Sequence, residues 1–232
     1  MKILLLGKNG QLGWELQRAL APLGELVAID RSECGDLADE ETLRATVRRV
    51  APDVIVNAAA YTAVDKAQSE PELARRINAL AVGLLAAEAK TLGALLVHYS
   101  TDYVFDGAGA DWRFEDAPTG PLSIYGQTKL EGEQLIAASG CDALVLRTSW
   151  VYAARGGNFA KTMLKLAIER EQLKVVADQI GAPTGADLLA DVSAHMIRQS
   201  LKDRGLCGVY HAVASGETSW FDYAKHVLTR AQ

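Results

Sequence analysis

Cysteine is scarce. Cys34, Cys141 and Cys207 are the only three in 232 residues, and they stand far apart with no C-x-x-C spacing and no neighbouring histidine pair. That argues against a zinc site of the usual spacing and leaves free thiols in a reducing compartment. Positive charge is also in short supply. Twenty-four Lys and Arg against 29 Asp and Glu give a net charge of -5, which argues against an electrostatic footprint for nucleic acid or for an anionic membrane surface. No long apolar run occurs. The opening "MKILLLG" stops at a glycine after four apolar residues, too short for a signal-peptide core or a membrane span, so a cytoplasmic protein is expected. Internal repeats and low-complexity tracts are missing too.

What remains is an ordinary globular composition, 49% hydrophobic and 23% charged, long enough to bury a substantial core. Short apolar runs, "KILLLG" (2–7), "LVAID" (26–30), "DVIVNA" (53–58), "ALLVHYS" (94–100) and "ALVLRTS" (143–149), alternate with helical periodicity. Strands apolar on both faces and separated by helices predict a doubly wound, parallel α/β sheet of the Rossmann type. Residues 1–150 are expected to form the dinucleotide-binding domain. Residues 151–232 are expected to form a smaller, incomplete substrate lobe, with strands near 172–177 and 208–213 returning to the first sheet. The last helical pattern, "SWFDYAKHVLTRAQ", has no glycine cap after it, so the chain reads as cut short.

The first strand runs into "GKNGQLG", which spaces Gly7, Gly10 and Gly13 three apart at a strand-to-helix turn. Glycines there allow the tight turn, the approach of a pyrophosphate and the packing of helix on sheet, while the helix N-terminus presents amides and the positive end of its dipole. Glycine also serves ordinary turns. Asp30, at the end of the second strand, adds a carboxylate suited to a ribose 2′-hydroxyl, and Arg31 beside it suits a 2′-phosphate, so NADH and NADPH both stay open. Asp36 and Leu37 of "CGDL" would lie near the adenine, unless Asp36 is only an exposed loop acid.

The spacing Y-x-x-x-K occurs once, at Tyr125 and Lys129. Residues four apart share a helix face, and this helix starts on the carboxyl side of the sheet, where open α/β sheets bind ligands. Reducing a ketone requires a proton for the developing alkoxide. Tyrosine, with an ordinary pKa of about 10, gives and takes one more readily beside an ammonium. Lys129 can supply that charge and also hydrogen-bond the nicotinamide ribose. Ser100 and Thr101, at the end of the fourth strand, offer a hydroxyl to the substrate carbonyl; Thr101 is the choice, against a plain turn-forming pair.

Taken together, "GKNGQLG", "NAAAYTAVDKAQSEP", "YSTDYVFDG", "YGQTK", "LRTSWVYA", "NFAKTML" and "DQIGAPTG" resemble the extended short-chain dehydrogenase/reductases, and among them the dTDP-4-dehydrorhamnose reductases, over the whole chain. The resemblance implies NADPH- or NADH-dependent reduction of a 4-keto nucleotide sugar, in the synthesis of a bacterial cell-surface sugar donor. It implies a triad of Thr101, Tyr125 and Lys129. It also implies cofactor contacts from Gly10, Gln11 and Leu12 (diphosphate), Asp30 (ribose), Asp36 and Leu37 (adenine), and Ala60, Tyr61, Thr62 and Tyr99 along the remaining path. Thr101, Asp102 and Trp150 would touch the sugar nucleotide. No metal site is assigned, although reductases of this kind have been associated with Mg²⁺, for which Glu15 and Asp187 are candidate carboxylates if they meet at a subunit contact. The partner expected is a small nucleotide sugar, and a homodimer is admitted.

Two rival readings share these features. A nucleotide-sugar dehydratase or epimerase has the same fold and pair, but a dehydratase needs a further acid and base beside the ring, and Tyr103 stands where related dehydratases carry Glu. A non-catalytic, dinucleotide-binding regulatory subunit has no need of the intact triad.

Overall fold

A computed structural model describes residues 1–231. The chain lays down β1 (Lys2–Leu6), α1 (Gln11–Leu20), β2 (Glu25–Ile29), α2 (Glu40–Val50), β3 (Val54–Asn57), α3 (Val64–Ala67), α4 (Pro71–Arg75), α5 (Ala81–Leu92), β4 (Leu95–Thr101), α6 (Ile124–Ser139) and β5 (Ala143–Thr148). Then follow β6 (Val151–Tyr152), α7 (Phe159–Glu169), β7 (Ile180–Gly181), β8 (Thr184–Gly185), α8 (Ala186–Ser200), β9 (Gly208–His211), β10 (Thr218–Ser219) and α9 (Trp220–Arg230).

Six strands form one parallel sheet in the order β2-β1-β3-β4-β5-β9. Alternate residues of each strand feed opposite layers. Leu4, Leu6, Ile55, Leu96 and Val145 pack under Leu43 and Val47 of α2 and the apolar residues of α5. Ile3, Leu5, Val56, Val97 and Leu146 pack under Leu16 and Leu20 of α1 and Leu189, Ala190 and Ile197 of α8. Burial on both faces is why these runs read as continuously apolar instead of alternating.

The strand order reverses at β1, whose neighbours are β2 on one side and β3 on the other. The loops leaving β1 and β3 therefore part at the sheet's carboxyl edge, the crevice in which such sheets hold ligands.

Two departures from expectation matter. Residues 172–177 carry no strand: Val176 is half exposed and its carbonyl accepts from Phe221 N–H, so this β-branched run finds a helix start to bond, not a strand. Residues 208–211, by contrast, pair parallel with β5. Between α4 and α5 the chain also winds Arg76–Leu80 as a π-helix, an i to i+5 insertion that hydrophobic periodicity does not register.

Candidate active site

The glycine turn is built as its spacing suggests. Gly7 has φ +84°, and a Cβ there would lie 2.8 Å from Ala59 N. A Cβ on Gly13 would fall 2.0 Å from the Gly7 carbonyl oxygen, so α1 rests directly on the turn. Gly10 differs: its Cβ would meet nothing nearer than 3.4 Å, and it caps α1 without a side-chain bond to the first-turn amides. A helix N-terminus with free amides above a glycine backbone fits a diphosphate. Leu12 packs into the core below.

Gln11 reaches across to the later part of the chain. Its Oε1 accepts from Asn158 Nδ2 at 2.9 Å, and its Nε2 donates to the Val151 carbonyl at 3.4 Å. Asn158 also caps α7, its Oδ1 accepting from Lys161 N–H. The Arg155 guanidinium lies over the Trp14 ring, 3.6 Å from its centroid.

At the far end of β2, Asp30 accepts from both Ser32 N–H (2.8 Å) and Ser32 Oγ–H (2.7 Å) and touches Asn9 Nδ2 in the glycine turn. The Ser32 hydrogen bonds hold its carboxyl below the usual range. Arg31 is exposed. Asp36 accepts from Ala38 N–H, a turn-forming bond. Leu37 lies in the core beside Leu43, so its side chain is not presented to a ligand.

Beyond β3, Ala60 and Thr62 are exposed and Tyr61 is clamped. Its N–H donates to Asn78 Oδ1 (2.9 Å), its carbonyl accepts from Asn78 Nδ2 (3.0 Å), and its hydroxyl donates to Glu70 (2.6 Å). The π-helical turn is what aims Asn78, and Gly132 of α6 lets it come close: a Cβ there would lie 2.4 Å from the Asn78 carbonyl.

Thr101 ends β4, nearly buried, donating through Oγ1 to Asp102 Oδ1 (2.9 Å) and accepting from Tyr103 N–H (3.2 Å). Burial raises the Asp102 carboxyl pKa. Ser123 caps α6, placing half-buried Tyr125 in its first turn, edge-on to Tyr103 with ring centroids 5.7 Å apart. Burial pushes the Tyr125 phenol up to about 12, with the Thr101 hydroxyl opposing that shift.

Lys129 follows one turn later on the same helix, fully buried. Its Nζ points inward to β4, donating to the Tyr99 carbonyl at 2.6 Å and lying 3.1 Å from His98 Nε2. Activation of Tyr125 asks Lys129 to carry a charge that its buried surroundings do not favour. Burial lowers the Lys129 pKa to about 8.

Tyr99 departs from expectation. Its neighbours His98 and Ser100 face the α6 layer, but its own ring enters the opposite one, where its hydroxyl donates to Ser193 Oγ at 2.7 Å. Strand alternation carries that side chain away from the crevice, leaving only its backbone at the site.

Trp150 stands just past β5 at φ +46°. It is stacked on Trp220 of α9 with centroids 3.5 Å apart, and Gly181 supplies the room: a Cβ there would lie 2.5 Å from the indole. Glu15 sits near Arg18 (3.8 Å) on α1, and Asp187 is exposed at the start of α8. Among the described residues no group of three or more His, Cys, Asp or Glu could hold a metal ion. Sequence reasoning passed over Asn57, Asn78, His98 and Asn158. Only Asn158, before an amphipathic helix, carried a cap signal to find it by.

A family model described as the RmlD substrate binding domain matches residues 1–232. The chain is 57% identical to the dTDP-4-dehydrorhamnose reductase of Escherichia coli (strain K12), aligning over all of its own length and 79% of that protein. It is similar to the crystal structure of a dTDP-4-dehydrorhamnose reductase from Clostridium acetobutylicum ATCC 824, with TM-score 0.91, 38% identity, and coverage of 100% of this chain and 80% of the other. A structure of the Bacillus anthracis str. Ames reductase in complex with NADP gives TM-score 0.91 and 38% identity, with coverage of 99% and 80%. With that model spanning every residue and more than half of the sequence shared with a reductase it covers by four fifths, the chain belongs to the dTDP-4-dehydrorhamnose reductase family.

Proposed function

We propose that the protein reduces the 4-keto group of dTDP-4-dehydro-L-rhamnose to give dTDP-L-rhamnose, using NADPH or NADH. The observation that carries this reading is the meeting of three elements at one sheet edge: the glycine turn after β1, the hydroxyl of Thr101 closing β4, and the Tyr125–Lys129 face opening α6. Family membership supplies the substrate class.

When bound, the dinucleotide supplies the hydride. The free amides at the start of α1 and the open backbone at Gly10 hold its diphosphate, and Asp30 holds a ribose hydroxyl. Thr101 orients the keto oxygen. Tyr125, kept protonated by its burial, gives its phenolic proton to that oxygen as it becomes an alkoxide. Lys129, once swung outward from β4, carries the charge that steadies the resulting phenolate and binds the nicotinamide ribose. Asp102 and Trp150 border the sugar nucleotide.

The test is to follow NADPH and NADH absorbance with dTDP-4-dehydro-L-rhamnose, with dTDP-glucose as control. Consumption with the keto sugar alone is expected. Equal consumption with both sugars, or with neither, would remove the reading.

A further inference from the structure

Running from the triad's Lys129 is a polar chain whose other side chains the proposed reaction does not use. Ala59 N–H donates to Asn57 Oδ1 at 3.2 Å, Asn57 Nδ2 lies 3.2 Å from His98 Nδ1, His98 Nε2 lies 3.1 Å from Lys129 Nζ, and Nζ donates to the Tyr99 carbonyl at 2.6 Å. Asn57, His98 and Lys129 are each no more than 2% exposed, so every donor must find its acceptor inside the protein.

That requirement orders the protons along the chain. Ala59 N–H can only donate, so the Asn57 oxygen faces it and the Asn57 amide nitrogen faces His98. Amide nitrogen only donates, so His98 Nδ1 must accept, and the ring's proton sits on Nε2. Nε2–H then points at Lys129 Nζ, which can accept only as the neutral amine. An ammonium in the same place sets donor against donor. Relief requires either turning the Asn57 amide, which strands Ala59 N–H, or moving the ammonium away.

We propose that His98 is a positioning residue for Lys129: with Asn57 it holds the uncharged amine against β4, and protonation of the amine releases it toward Tyr125 and the nicotinamide ribose. The proton comes from solvent and bonds to the Nζ lone pair that Nε2–H had occupied. No other bond changes. The proposal rests on the assignment of Lys129 to the reduction.

Charged and titratable groups around Nζ agree with this. From β4 it meets His98 and the Tyr99 carbonyl, and on its own face of α6 stand Tyr125, four residues before, and Glu133, four after. The Glu133 carboxylate favours the ammonium, but it is already bound by Arg147 of β5 at 2.7 Å. Burial outweighs it for Lys129, and burial followed by the neighbouring lysine keeps the His98 pKa well below its ordinary value. The link also runs outward, because Ala59 closes over Gly7 of the nucleotide turn.

Two measurements on the full chain test this. In ¹⁵N NMR with labelled histidine, His98 is expected neutral and protonated on Nε2 between roughly pH 6 and 10, with a shift step as Lys129 titrates that is lost in Lys129→Met. An Nδ1–H ring, or a step that persists in Lys129→Met, overturns the proposal. In NADPH titrations, affinity should fall as pH rises through the Lys129 titration. Removing the donor to the amine in His98→Phe should move that fall upward by about one pH unit, giving about fivefold tighter binding near pH 9 and no change near pH 6.5. A uniform loss at all pH values marks a merely structural role and overturns it. If Lys129→Met leaves NADPH binding and its pH profile intact, it is the assignment of Lys129 to the reduction that fails, and the NMR pattern then decides for or against His98.

Discussion

Asn158 Nδ2 donates to Gln11 Oε1 at 2.9 Å, bridging residues 147 apart in sequence. One side chain thereby caps α7 and braces the first residue of α1. The two roles separate by substitution. Asn158→Asp keeps the cap oxygen and loses the donor, so stability should stay near native while NADPH affinity falls severalfold. Asn158→Ala loses both and should cost about 1 kcal/mol in addition. Urea denaturation and NADPH titration of both variants check this; equal NADPH affinity in Asn158→Asp and the native chain would detach Gln11 from the cofactor.

The glycine turn offers a second separation. Gly10→Ala has room for its methyl group and an extended backbone that alanine adopts, so folding stability should move by no more than about 0.5 kcal/mol. NADPH binding should still weaken, because the methyl group stands where the diphosphate approaches. Gly13→Ala drives a Cβ into backbone that cannot yield and should cost about 1–3 kcal/mol or more. Melting curves with and without NADPH distinguish the two.

Tyr125→Phe removes a proton and little else. NADPH affinity should be retained, and turnover of the keto sugar should fall about 10²- to 10⁴-fold. Turnover within a few-fold of native would refute Tyr125 as proton donor.

Lys129 also leaves a signature in stability. Its pKa is about 8 in the folded chain against an ordinary value of 10.5, so between those values the unfolded chain binds more protons and stability rises with pH. The penalty of burying the ammonium is present in full below about pH 8 and fades as pH climbs toward 10.5. Lys129→Met abolishes that dependence, so its stability relative to the native chain should be more favourable at pH 7 than at pH 10 by about 2–3 kcal/mol. Urea midpoints at the two pH values measure it; a gain that grows with pH would contradict the burial of the amine.

Much of this was legible in the residues. Runs such as "KILLLG" and "DVIVNA" announced strands covered on both faces, and the three-glycine spacing announced a turn in which Gly7 and Gly13 are sterically obliged. The misreadings have physical causes. "LKVVAD" has strand propensity but no partner strand within reach, and propensity without a ladder does not make a sheet. Tyr99 falls on the opposite side of β4 from His98 because side chains alternate along a strand, a fact that proximity in sequence conceals. His98 lies within an apolar run, and nothing in that run signals that its ring nitrogens stand between an amide and an amine.

The near-parallel indoles of Trp150 and Trp220 have an optical consequence. Two such chromophores in van der Waals contact couple their transition dipoles, so this protein should show a paired positive and negative band in circular dichroism. That band belongs to the juxtaposition of the end of β5 with α9 and to neither tryptophan alone. Any event that prises them apart, such as a sugar nucleotide settling against Trp150, would collapse the doublet and give a label-free signal of what happens at that edge of the molecule.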